Sequence, residues 1–79
     1  MKVMVKAEFQ SIFAGALRNY RKRNKISQSR MARLLGMTDR SYVDLEHGRF
    51  CPSSLTLLAY LRALPKEERN EFLDCILLS

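Results

Sequence analysis

A chain of 79 residues holds one domain, and a domain this small buries only about 60–65% of its unfolded surface, so assembly with a partner would steady it. The formal net charge of +6 is lopsided: residues 1–50 carry eleven Lys or Arg against four acids (+7), residues 51–79 three against four (−1), which places any polyanionic partner on the first half. Two cysteines without C-x-x-C spacing and a single histidine argue against a disulfide-built fold and a four-ligand zinc site, and no apolar run nears the roughly 18 residues of a membrane span.

Taken in chain order, the alternation Lys2-Val3-Met4-Val5-Lys6 is too short for a strand and reads as a frayed lead-in. Phe9, Ile12, Phe13, Ala16, Leu17 and Tyr20 recur at helical spacing and predict a first helix that ends near Asn24 and Lys25. Ser27 is placed to cap a second helix from Gln28 to about Leu35, closed by Gly36 in the left-handed conformation. Thr38 caps a third, from Asp39 to about Glu46, ended by Gly48; Asp39 in its first turn suits the helix dipole. Ser53 opens a fourth helix carrying Leu55, Leu58, Ala59, Leu61 and Leu64. Pro65 fits the first turn of a fifth, which Glu67 and Glu68 favour and which runs to about Leu78. No strand survives, so the predicted class is all-α, one domain over residues 1–79.

The segment from Ser27 to Gly48 is the most informative. Met31, Ala32, Leu35, Met37, Tyr42 and Leu45 would pack one short capped helix across another and leave the far side of the second free. Such a helix on a basic body suits the major groove of DNA. From Leu17 to Leu64 the chain resembles the Cro/repressor-type, or XRE, helix-turn-helix family. The resemblance rests on Arg18 and Arg21, Ser27-Gln28, Met31-Ala32, Leu35-Gly36, Leu45-Glu46, His47-Gly48, Pro52-Ser53 and Leu58, all at unbroken spacing. It implies a five-helix, lambda-repressor-like domain whose third helix reads double-stranded DNA, usually as a homodimer. By position it implies Thr38, Asp39, Arg40 and Asp44 at base edges. Ser27, Gln28, Ser41, His47, Arg49 and Phe50 would lie at the sugar-phosphate backbone, and Arg21 with Glu46 would form an ion pair tying the first helix to the third. Two departures stand out. Tyr42 occupies a position that usually carries Ile or Val and must place its hydroxyl near water or a partner; Asp39 and Asp44 bring carboxylates to a DNA-facing helix.

Each residue also has a plainer reading. Arg40 is suited to fork onto guanine O6 and N7, or to a solvated pair with Asp44 four residues on; the two readings are compatible if Asp44 holds the fork. Asp39 and Asp44 would accept from cytosine N4, or serve the helix dipole and orient Arg40. Ser27 and Thr38 are caps first. Arg18, Lys22, Arg23, Lys25, Arg30 and Arg33 form a broad positive surface. His47 and Cys51 lie in no nucleophile–base arrangement, so no enzyme, metal or cofactor is expected. With no secretory pattern, the chain reads as cytoplasmic with reduced thiols.

The last helix carries Phe72, Leu73, Cys75, Ile76, Leu77 and Leu78, an apolar arc wider than one stripe. Either the core covers it, or Phe72, Leu73, Ile76 and Leu77 form a dimer interface; the second reading is preferred. Together these expectations describe a homodimeric DNA-binding regulator with no separate effector domain. The alternatives are an antitoxin-like or controller module with a second protein partner, and a pure protein-interaction domain on the same scaffold. Membrane binding by the first helix is disfavoured, because the core needs its apolar face.

Overall fold

The computed structural model describes residues 6–78. Five helices follow in order: α1 (Lys6–Arg23), α2 (Gln28–Leu34), α3 (Asp39–Glu46), α4 (Ser54–Ala63) and α5 (Lys66–Leu77). The described residues hold no strand, so the all-α expectation stands. The lead-in alternation lies outside the described residues except for Lys6, which begins α1.

Local chemistry sets the boundaries. Ser27, Thr38 and Ser53 each have extended backbone, and each side chain accepts from the N–H three residues on: Arg30, Ser41 and Thr56. Each thus satisfies one of the donors a helix start leaves open. Pro65 differs from expectation. It is the residue before α5, with ψ 158, and offers no side-chain cap; its ring fixes φ on the way into the helix but lies outside the first turn.

The first three helices end alike. After α2, Gly36 turns left-handed (φ 70), its N–H donating to Arg33 O (3.2 Å) and that of Met37 to Ala32 O (2.9 Å). After α3, Gly48 (φ 71) repeats this, Gly48 N–H to Leu45 O and Arg49 N–H to Asp44 O, both 3.0 Å. After α1 the same bonds form, Lys25 N–H to Lys22 O (3.3 Å) and Ile26 N–H to Arg21 O (2.9 Å), but the left-handed residue is Lys25 (φ 54). A Cβ makes that conformation costly, so α1 stops where expected on a strained residue.

The core is aromatic on one side and aliphatic on the other. Phe13 meets Tyr60 edge-on at 5.1 Å and Phe72 at 5.8 Å, while Tyr60 meets Phe72 at 5.2 Å. These are favoured geometries for rings. Met31, Ala32, Leu35, Tyr42 and Leu45, all buried, fill the angle between α2 and α3. Phe72 therefore corrects the sequence reading: it is 6% exposed, enclosed by its own chain, because it packs against both Phe13 and Tyr60. Leu73 and Ile76 are partly buried against the same core, and Leu77 stands in solvent at 75% exposure.

Replacing Lys25 by glycine removes the side-chain clash at φ 54. It should raise stability by about 0.5–1 kcal/mol after the larger unfolded-state entropy of glycine is subtracted. Chemical denaturation of the two chains measures it, and an unchanged or lowered midpoint would show that Lys25 is unstrained.

Candidate nucleic-acid interface

The eight residues of α3 are too few to hold a helix alone. Tyr42 and Leu45 anchor one side of it at 0% and 1% exposure. Three polar groups hold its C-terminal end. Arg21, on α1, sends Nε to Glu46 Oε2 (2.8 Å) and Nη2 to Glu46 Oε1 (2.9 Å), a two-pronged bond. Arg18, one turn earlier on α1, donates through Nη1 to the Glu46 carbonyl at 2.8 Å. Gln28, at the start of α2, places Nε2 3.3 Å from Glu46 Oε1. The resemblance implied the Arg21–Glu46 pair, and the structure brings those two together. Arg18 was read as a position matching the family and as surface charge, with no partner of its own, although its spacing of three from Arg21 puts both on one face of α1.

Among the described residues, Glu46 is the one charged residue that is buried. Burial opposes its ionisation. The Arg21 hydrogen bonds, aided by Tyr42, the Arg21 charge and Gln28, outweigh that penalty and hold its carboxyl below the usual range. The Tyr42 hydroxyl lies buried and close to Glu46 and Arg21, with no well-formed hydrogen bond. Burial first, and then the Glu46 carboxylate, push the phenol far above its ordinary range, so it stays neutral. The sequence reading asked for water or a partner near this hydroxyl, and its near neighbours are Glu46 and Arg21.

The other side of α3 faces out. Thr38, Asp39, Arg40 and His47 are exposed, and Ser41 and Asp44 half-buried. Thr38 accepts from the Ser41 N–H (3.1 Å) and donates to Ser41 Oγ (3.0 Å), so its own hydrogen is engaged and the Ser41 hydroxyl hydrogen remains to donate. Asp39 Oδ2 accepts from Ser29 Oγ at 2.8 Å, tying the starts of α2 and α3 together. Asp44 corrects expectation: its Oδ1 receives Nη1 of Arg49 at 2.7 Å, not the Arg40 fork. The cap at Gly48 folds Arg49 back over the helix end, within reach of Asp44. Arg40 has no side-chain bond or ion pair among the described residues.

The backbone-contact candidates ring this face. Ser27 is an exposed cap. Gln28 uses one amide hydrogen on Glu46 and keeps a second to donate. His47 Nδ1 lies 2.8 Å from Val43 O, so that nitrogen carries the proton, and Nε2 donates to a phosphate only in the imidazolium form. Arg49 and Phe50 are exposed at the start of the following loop. Sequence reasoning gave no role to Gln10, whose side-chain oxygen, turned towards the loop, accepts from the N–H groups of Phe50 (3.2 Å) and Cys51 (3.1 Å). Gln10, Ala14 and Arg18 recur every four residues, the one signal that could have found it.

Comparison with protein families matches residues 17–69 to the helix-turn-helix model. The chain belongs to that family. It is a DNA-binding, XRE-type domain with the lambda-repressor-like arrangement of five helices, and a regulator of transcription in that general sense. Comparisons with curated proteins and with solved structures give no match. No helix among the described residues is long and apolar enough to cross a membrane.

The depressed Glu46 pKa fixes the sign of a pH effect. Its contribution to stability is complete above the unfolded value near 4.5 and is lost as pH falls through the lower folded value. Glu46→Gln should lose about 3 kcal/mol at neutral pH, the low end for a broken buried pair because the Arg21 side chain is 16% exposed. The deficit should shrink in acid, read by thermal unfolding across pH. A deficit constant down to the acid limit would mean the charge of Glu46 contributes nothing.

Proposed function

We propose that the chain is a single-domain, cytoplasmic, sequence-specific regulator that binds a near-palindromic operator as a homodimer and acts by occupying it. The observation that carries this is Arg40, exposed on the outward side of α3 with no partner among the described residues. That leaves a guanidinium fork to seek guanine O6 and N7, a contact worth about 1–3 kcal/mol of base discrimination. Asp39 and Asp44 are engaged with Ser29 and Arg49, so they flank the reading surface as partnered acceptors, open to a cytosine amine. Thr38 joins them as an acceptor. Ser27, Gln28, Ser41, His47, Arg49 and Phe50 border that surface as the phosphate-facing set. The free thiols of Cys51 and Cys75 suit a reducing compartment.

For the dimer we assign the end of α5. Leu73 and Ile76 form its half-buried base and Leu77 its exposed ridge, with Phe72 withdrawn into the core beneath. A two-fold axis there would set the two α3 helices about 34 Å apart, one turn of DNA. A second reading draws on Leu55 and Leu58 of α4, 79% and 57% exposed: a different protein covers the apolar surface, as in an antitoxin-like module.

Three measurements decide. If the dimer makes about 6–10 phosphate contacts, affinity for its selected duplex should fall roughly 10³–10⁵-fold between 50 and 200 mM salt; binding indifferent to salt would refute DNA as the partner. Duplex selection with Arg40→Ala should lose preference at one base pair per half-site, and an unaltered sequence profile removes Arg40 from base reading. Sedimentation should show a two-copy species that Leu77→Glu dissociates; a monomeric parent chain would favour the second reading.

A further inference from the structure

We propose that the cleft between α1 and α5 is a binding site for a small organic cation, an ammonium group carried on an apolar body. The cleft measures about 370 Å³, at the lower end of the range for small-molecule sites. Three features of the walls converge on that chemistry.

The first is Gly15. It stands in the interior of the 18-residue α1, where glycine is the least favourable residue after proline. The chain's own packing does not ask for it: a Cβ built there would meet only Arg18 Nη2, at an ordinary 3.9 Å. The missing side chain leaves room in the cleft wall beside Ala16 and Asn19, which also line it.

The second is an acceptor without a donor. Glu68 receives Arg23 Nη2 on Oε1 at 3.1 Å, while its Oε2 is buried and has no hydrogen-bond partner. Oε2 is closed to solvent as it stands, but the Glu68 side chain lines the cleft and is 23% exposed, and a turn of its carboxylate would offer the unpartnered oxygen to an N–H donor, above all a charged one. Glu71 adds a second carboxylate to the lining against the one cation, Arg23. The site is therefore net acidic on a chain whose overall charge is +6, which disfavours phosphate and attracts a cation.

The third is aromatic. Tyr20, Tyr60 and Phe72 line the cleft, Tyr20 and Tyr60 edge-on at 6.4 Å. Tyr60 and Phe72 are buried and form the apolar floor, while half-buried Tyr20 is the ring open to a cation. The cleft borders the elements that brace α3 without using their bracing groups: Ser11 lines both it and a neighbouring groove with Arg18 and His47, whereas Gln10, Arg18 and Arg21, which do not line the cleft, hold α3 and its loop. The proposal stands whether or not the chain binds DNA.

Phenethylammonium is a fitting probe, with 2-phenylethanol and 3-phenylpropionate as its neutral and anionic counterparts. Titrated into the isotopically labelled chain, the amine should give saturable amide shifts at Gly15, Ala16, Asn19 and Cys75. It should bind roughly tenfold tighter than the alcohol, about one 1.4 kcal/mol step, with no response to the carboxylate. Glu68→Gln should erase the preference of amine over alcohol. Gly15→Leu should fill the cleft and abolish binding; Gly15→Ala, the milder change, should weaken it and is the fallback should the leucine variant fail to fold. Absence of saturable shifts with the amine, equal binding of amine and alcohol, or shifts confined to other elements would overturn the assignment. So would a change of sedimenting mass in Gly15→Ala, which would mean that a second helix occupies the cleft.

Discussion

The fold turns on one buried carboxylate. Glu46 sits at the end of a helix of two turns, and the two-pronged bond from Arg21 fixes where that end lies and how the helix is rotated. An apolar contact would fill the same space but could slide; a planar fork against a planar carboxylate has one good geometry. Arg18 on the Glu46 carbonyl and Gln28 on the Glu46 carboxylate add bonds from two other directions. The net contribution to stability is modest, because burying charge is costly. What the arrangement supplies is direction. Rotation of α3 about its axis would carry Arg40 away from any surface the neighbouring backbone groups could share.

Around that centre the backbone solves one problem three times. Each of the first three helices must stop and turn within a few residues, and each uses a left-handed residue with the same pair of back-bonds. Two of the three positions are glycine. The third, Lys25, lies between α1 and the Ser27 cap, where its charge adds to the basic surface of the first half. The caps also join elements: Ser29 reaches from α2 to Asp39 at the start of α3, so the two helices are tied at their N-terminal ends as well as through Met31, Leu35 and Tyr42.

Much of this was legible in the sequence because it is local. The hydroxyl caps, the glycine stops and the apolar spacing of α1 to α4 are determined within a few residues, and they gave the bounds of α2 and α3 within a residue of those found. The pair of Arg21 with Glu46 is long-range, and only the family resemblance, not any spacing rule, pointed to it. Where the reading failed, the deciding contact was tertiary. Helical spacing within α5 cannot say which arc of a wide apolar surface meets α1, so Phe72 was assigned outward although it completes the ring cluster with Phe13 and Tyr60. Asp44 and Arg40 stand four apart on one helix, the spacing that favours a pair, but the turn at Gly48 brings Arg49 nearer. Gln10 and Arg18 act on groups at least 28 residues away, beyond any periodicity.

Two ion pairs on one helix then have opposite uses. Arg21–Glu46 is enclosed, with side-chain exposures of 16% and 4%; Arg49–Asp44 is open, at 65% and 28%. Breaking the first strands a charge away from water, so it persists and sets the frame. The second is of the exposed kind, worth about 0–1 kcal/mol, and its arginine is released at little cost to any stronger acceptor. A phosphate is such an acceptor. Asp44 thus holds Arg49 beside α3 in the free protein without competing seriously for it once an anion is at hand, and under the proposed function a carboxylate on that helix is compatible with DNA binding. The burial of the pair, rather than its distance, decides which arginine is structural and which is available.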